Sequence, residues 1–208
     1  MKRFFEIGGV VAGVVLIAFG VAAIVLGTNG KSTVQTELKQ QQIVGTPDMT
    51  PKAIAAEAKQ AGLTNVQNLP TCTVAGLPVN NGSRARCFAG YMRIHTLEAT
   101  QGVPYALMPR YATADGKGTN DPTKALQQKG QPVANAARDI WVTETALTTA
   151  LNSSYMAEQM ANFGIVVGIA LLLSGIGFTI LALGGALKNE FWFFKRPFAK
   201  KTAKPLSV

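Results

Sequence analysis

His95 is the only histidine in the chain, and few other residues could do chemistry. An imidazole that titrates near neutral pH can act as a general base or a metal ligand. Here it shares a helical face with Phe88 and Met92, which favours a hydrogen-bonded histidine in a core. One histidine also excludes a two-histidine metal centre within a single chain. Asp115, Asn120 and Asp121 lie in a glycine-rich stretch where calcium ligands could be sought. No glutamate stands at the EF-hand distance, so a polar turn is the expectation. Asp139 and Glu144 are five residues apart on a helical pattern and do not face each other. Asp139 is better placed to complement the positive end of a helix.

Gly27-Thr28-Asn29-Gly30-Lys31-Ser32 has the look of a phosphate-binding loop. The first glycine of that motif would have to be Val25, and no strand precedes it. No serine has a visible base partner other than His95. The expectation is a chain that is not an enzyme, with no catalytic residue, no cofactor and no metal.

Cys72 and Cys87 are the two cysteines, with 14 residues between them. The spacing is far from C-x-x-C, and two cysteines do not complete a zinc site. A structural disulfide is the simplest reading, worth about 3 kcal/mol by the chain-entropy account.

Two apolar stretches must position whatever the rest of the chain does. Residues 7–27 and 163–187 are 21 and 25 residues long and carry no charge. As helices they would be about 31 and 37 Å long, enough for a hydrocarbon core of about 30 Å. The first run is too long for a signal-peptide core and has no small-x-small cleavage site, so an uncleaved anchor is expected. These spans explain why only 15% of the 208 residues are charged while 48% are apolar. A soluble domain carries about 25% charged residues. The apolar content also excludes a disordered chain.

Basic residues set the orientation. Lys2 and Arg3 precede the first span, and Lys188, Lys195, Arg196, Lys200, Lys201 and Lys204 follow the second. No Lys or Arg lies between Val142 and the second span. The positive-inside rule then puts both termini in the cytoplasm and residues 28–162 outside the plasma membrane. Of the net charge of +9, the tail 188–208 contributes +5, residues 28–162 +3 and residues 1–6 +1. A basic tail beside a membrane points to anionic lipid headgroups, not to nucleic acid. Phe4, Phe5, Phe191, Trp192, Phe193, Phe194 and Phe198 read as interfacial aromatic residues.

Glycine is frequent in both spans. Gly9 and Gly13 form a GxxxG, Gly20 and Gly27 continue it at intervals of seven, and Gly164, Gly168 and Gly175 make a second stripe. Small residues on one face let helix backbones approach closely. Ser174 and Thr179 are the only hydroxyl residues in the spans, and no ionisable group lies there. Proton or ion transport has nothing to work with.

Between the spans, Thr50-Pro51 reads as a helix cap followed by KAIAAEAKQA and a stop at Gly62. Residues 33–42 read as helical. A helix is expected over 84–100, with Phe88, Tyr91, Met92, His95 and Ala99 on one face. YALMPRYAT and KALQQKGQPV flank the turn-rich ADGKGTNDPT, which suggests a small hairpin. From Asn135 a helix with Ile140, Leu147 and Leu151 on one stripe can run into the second span, unless Asn152-Ser153-Ser154 breaks it.

The segments MKRFFEIGG, IVGTPDMTPKAIAAEAKQAGLTN, ARCFAGYMRIHTLEAT, DPTKAL, ARDIWVTETALTTALN, SYMAEQ and IVVGIALLLSGIGF together carry a resemblance. The chain resembles a family of two-pass membrane proteins of high-GC Gram-positive bacteria, over all but about its last 20 residues. Members are often labelled aromatic ring-opening dioxygenases. Extradiol enzymes of that kind hold iron with two histidines and a carboxylate, and His95 stands alone here. The resemblance therefore implies topology and lineage, and no activity.

The expected fold is a mainly α membrane protein. Two transmembrane helices, 7–27 and 163–187, flank a predominantly helical extracytoplasmic domain, 28–162, with a small β-hairpin and one disulfide. A cytoplasmic N-terminus, 1–6, and a basic cytoplasmic tail, 188–208, complete it. The expected role is an accessory or scaffolding protein of the cell envelope, whose partner is a second copy or another membrane or envelope protein. An extracytoplasmic ligand-binding or sensor protein is the alternative, followed by a membrane enzyme using His95 with an acidic partner.

Overall fold

The computed structural model describes residues 2–63 and 68–184. The chain runs α1 (Lys2–Gln40), α2 (Pro51–Gln60), α3 (Gly82–Ala99), a 3-10 turn at Tyr105–Leu107, β1 (Gln127–Gln128), β2 (Gln131–Pro132) and α4 (Ala137–Leu183). Asn152, Ser153 and Ser154 do not interrupt α4. The tail residues Lys188, Lys195, Arg196, Lys200, Lys201 and Lys204, the aromatic run 191–198 and positions 185–187 of the second span lie outside the described residues. Contacts divide the chain into two units: one of residues 1–26 and 164–208, the other Gly27–Phe163. α1 and α4 contribute to both.

In the first unit, glycine lets the two helix backbones meet. A Cβ placed on Gly20 would stand 2.7 Å from the Gly168 carbonyl oxygen, and one on Gly168 would stand 2.8 Å from that of Gly20. Gly175 repeats this against Gly13, with 2.7 Å to the Gly13 oxygen. The pairs step seven residues up one helix and seven down the other, an antiparallel register. Gly164 is looser, since its Cβ would lie 3.9 Å from Ala23 oxygen. Gly9 is half-buried. Helices α1 and α4 are both long and apolar enough to cross a membrane.

The second unit is built from the sequence outward as follows. Thr50 caps α2 by accepting from Ala53 N–H at 3.2 Å, and Pro51 fits the first turn. Gly62, at φ +70°, turns the chain out of that helix. Ile54 and Ala58 are its buried face. α3 begins at Gly82, two residues before the expected Arg84, because two acceptors hold its first turn. Asn81 accepts from Arg84 N–H at 2.9 Å, and the distant Glu158 carboxylate accepts from Gly82 N–H at 2.5 Å. Its core face is also wider than the expected stripe. Ala85, Cys87, Phe88, Ala89, Tyr91, Ile94 and Leu97 are buried, whereas Ala99 is exposed.

On the part of α4 within the second unit the buried positions are Trp141, Glu144, Leu151 and Glu158, and Ile140 is exposed. Of the expected stripe, Leu151 is buried and Leu147 packs against the core, while Ile140 is exposed and its neighbour Trp141 is buried instead, donating its indole N–H to Val103 oxygen at 3.0 Å. One core cluster joins Leu38, Met49, Ile54, Val74, Val79, Phe88, Tyr91, Ile94 and Leu151; a smaller one joins Leu97, Met108 and Trp141.

The expected hairpin between Tyr105 and Val133 divides into two tighter turns. β1 and β2 pair antiparallel around Lys129-Gly130, both at positive φ (51° and 76°), the requirement of a primed two-residue turn. Upstream, Tyr111 and Thr119 exchange two backbone hydrogen bonds of 2.9 Å and close the loop between them. The Cys72–Cys87 disulfide spans a Cα separation of 6.1 Å and ties the strandless segment before α3 onto that helix.

Glycine at the helix contact has a testable cost. Gly168→Leu is expected to lose about 1–3 kcal/mol by overpacking in equilibrium unfolding in detergent. Gly177→Leu, where nothing lies within 4 Å of a Cβ, is expected to be near neutral. Glu158→Ala is expected to lose about 1–3 kcal/mol by leaving the Gly82 N–H without its acceptor. Glu158→Gln, which keeps an acceptor, should lose less in the same measurement.

Candidate functional site

His95 lies on the fourth turn of α3, where α2 and the turn before it pack alongside. The turn is short and self-bonded: Met49 N–H donates to Thr46 oxygen at 3.0 Å, and Thr50 N–H to Asp48 oxygen at 2.7 Å. It holds Asp48 two residues before the α2 cap. Glu57 sits two turns into α2. The result is that two carboxylates converge on one imidazole nitrogen. Nε2 of His95 is 2.8 Å from Asp48 Oδ2 and 3.8 Å from Glu57 Oε2. All three side chains are about 30% exposed. The Nε2 atom itself is fully buried and makes no aligned hydrogen bond to either carboxylate.

The Thr46 hydroxyl hydrogen-bonds Asp48 and does most to hold its carboxyl below the usual range, with burial pulling the other way and the His95 charge adding to the fall. Beneath them Tyr91 is completely buried and donates its hydroxyl to Cys72 oxygen at 2.5 Å. Burial, then the nearby Asp48 charge, raises the Tyr91 phenol above its ordinary value. The disulfide and the tyrosine therefore pin the same segment to α3 from two sides.

Asp48, Glu57 and His95 offer ligand atoms all within 4.8 Å of one another, the one such group of three among the described residues. Sequence reading put His95 on a core face with Phe88 and Met92. The structure sets it at the core's edge, half-exposed, with charged neighbours. Asp48 and Glu57 escaped notice because no local spacing links them: 38 residues separate Glu57 from His95. The usable signal was the α2 cap, which fixes both carboxylates on one short element.

Asp115, Asp121 and Asn120 bond the backbone of their own loops. Asp115 accepts from Lys117 N–H at 3.2 Å and pairs with the Thr113 hydroxyl, and Asp121 accepts from Thr123 N–H at 2.9 Å. Asn120 accepts from Arg110 N–H at 3.0 Å. Asp139 lies in the first turn of α4. Glu144 is buried and accepts from the Thr145 hydroxyl at 3.3 Å. Residues 27–32 lie inside α1, so no phosphate loop forms there. Grooves of about 410 Å³ beside the disulfide and about 530 Å³ beside Arg138 are open, each with one aromatic in its wall, Tyr155 and Tyr105.

Comparison with models of protein families, with curated proteins and with solved structures finds no match to this chain.

Tyr91→Phe removes the donor to Cys72 oxygen and is expected to cost about 0.5–1.5 kcal/mol in thermal or denaturant unfolding at neutral pH. The phenol also sets an alkaline limit. Because its folded value lies above its unfolded one, the stability it confers is complete below about pH 10. That stability falls as the pH climbs through the folded value. Tyr91→Phe should lack this step in a stability-against-pH series, and an unchanged profile would contradict it.

Proposed function

We propose that this chain is a two-pass membrane protein of the cell envelope that displays residues 28–162 outside the plasma membrane as an accessory or scaffolding domain. The observation that carries the reading is apolar surface left uncovered on α1 and α4. Phe19, Leu26, Leu173, Ile180 and Leu183 are each 62–72% exposed. A water-soluble chain hides such residues, whereas a hydrocarbon solvent gives them nothing to hide from. Helices in that solvent associate through close backbone packing, which the paired glycines provide.

The basic residues beside both termini support cytoplasmic termini, with the tail's charge suited to anionic headgroups. The disulfide accords with an oxidising exterior. Within 28–162 Asp115 and Asp121 bind turns and Glu158 holds the start of α3, and the grooves are shallow. That composition suits a domain that holds a partner, either a second copy or another envelope protein, more than one that converts a substrate.

Protease added to intact spheroplasts is expected to cut within residues 28–162 and to spare a C-terminal tag. Crosslinking in native membranes is expected to trap a defined oligomer or a stoichiometric complex. A digested tag would reverse the orientation, and a clean monomer under crosslinking would remove the scaffolding role.

A further inference from the structure

We infer that Asp48, Glu57 and His95 form a binding site for a divalent first-row transition ion, with Zn²⁺ as the fitting probe. The inference is independent of the membrane reading, because it rests on the second unit alone.

Three observations meet at the site. The first is the donor set: one imidazole and two carboxylates, the mixture of nitrogen and oxygen that zinc accepts, at bonds of about 2.0–2.2 Å. Tetrahedral bonds of that length place neighbouring ligand atoms about 3.3 Å apart. The Nε2 separations here, 2.8 Å to Asp48 and 3.8 Å to Glu57, bracket that spacing. The third edge is wider, the two carboxylate oxygens lying within 4.8 Å of each other, and a turn of the half-exposed Glu57 side chain would close it around the ion.

The second is the state of Nε2. It is enclosed and ion-pairs with Asp48 at 2.8 Å, while a second carboxylate, Glu57, stands 3.8 Å away without a share of it. A proton on that nitrogen can serve one oxygen at a time. A metal ion at the point where the three atoms converge is bound by all of them. The third is charge. Two carboxylates with oxygens within 4.8 Å of each other carry two negative charges, which one divalent ion neutralises in full.

The side chains remain about 30% exposed, which leaves a path for entry and a fourth position for water. Cys72 and Cys87 are tied to each other and cannot compete for the ion. His95 is the chain's only imidazole, so nitrogen ligation has one possible source.

The test uses the full chain in detergent, without a polyhistidine tag, stripped with chelator and then equilibrated with Zn²⁺. Calorimetry and elemental analysis are expected to give one equivalent per chain, together with a rise in melting temperature that chelator reverses. His95→Gln is expected to abolish stoichiometric uptake. Glu57→Gln, on a half-exposed helix face where folding is not at risk, is expected to weaken binding by at least about tenfold. Asp121→Asn serves as the control and should bind as the unaltered chain does. Absence of stoichiometric Zn²⁺ uptake, or Glu57→Gln and His95→Gln proteins that bind as tightly as the unaltered chain, would overturn the assignment.

Discussion

The second unit depends on one buried carboxylate. Glu158, on α4, is 5% exposed and accepts from Gly82 N–H at 2.5 Å and from the Gln35 amide at 3.0 Å. One side chain thereby joins α1, α3 and α4. Its position against the first turn of α3 is electrostatically apt, since a helix N-terminus is a partial positive charge with unpaired donors. Gly82 is required for the approach, because a Cβ there would stand 2.8 Å from the Tyr155 Cα. Desolvating a carboxylate is costly unless its oxygens are bonded, and here both are. With the start of α3 held there, Cys87, Tyr91 and His95 follow at fixed points along the helix.

The first unit solves a different problem by different means. Between its helices the backbones themselves come close, through Gly13, Gly20, Gly168 and Gly175. The interval of seven is the one at which a helix returns to the same side of a left-handed pair. The same 3-4 spacing continues within the second unit at buried or half-buried Lys31, Val34 and Leu38 of α1. There the pattern carries side chains of ordinary size, and Lys31 reaches Asn162 Oδ1 at 3.1 Å. One periodicity thus serves both parts of α1, with glycine where the backbones touch and polar or branched residues further along.

Much of this was legible from residue types at short range. The Thr50-Pro51 cap, the Gly62 stop, the cysteine pair and the two apolar runs are local signals with local causes. The misreadings have equally definite causes. The hairpin was misplaced because a glycine-rich loop closed by Tyr111 and Thr119 competes with the Lys129-Gly130 turn, and periodicity does not rank the two. On α4 Leu147 and Leu151 face the core as their spacing implies, and only Ile140 departs, because the neighbouring indole of Trp141 is buried with its N–H on Val103. The start of α3 was set late because its second acceptor lies 76 residues away. Local pattern fails wherever a distant side chain supplies what the backbone lacks.

The Asp48–Glu57–His95 group is the extreme case, since no pair of its members is joined by a helical or strand spacing to α3. Its geometry also carries a cost that packing must offset. At 4.8 Å two unit charges repel by about 1 kcal/mol in water and about 3 kcal/mol at the effective dielectric of a protein surface. Asp48 is held ionised by the Thr46 hydroxyl, so the repulsion is not relieved there by protonation. The convergence survives because each member is fixed by something else: Asp48 by its turn, Glu57 by the capped α2, and His95 by α3. The three supports and the attraction of His95 for Asp48 together keep two negative charges aimed at one nitrogen. A site held together by its scaffold is already shaped before any ion arrives, so binding has little conformational entropy left to offset.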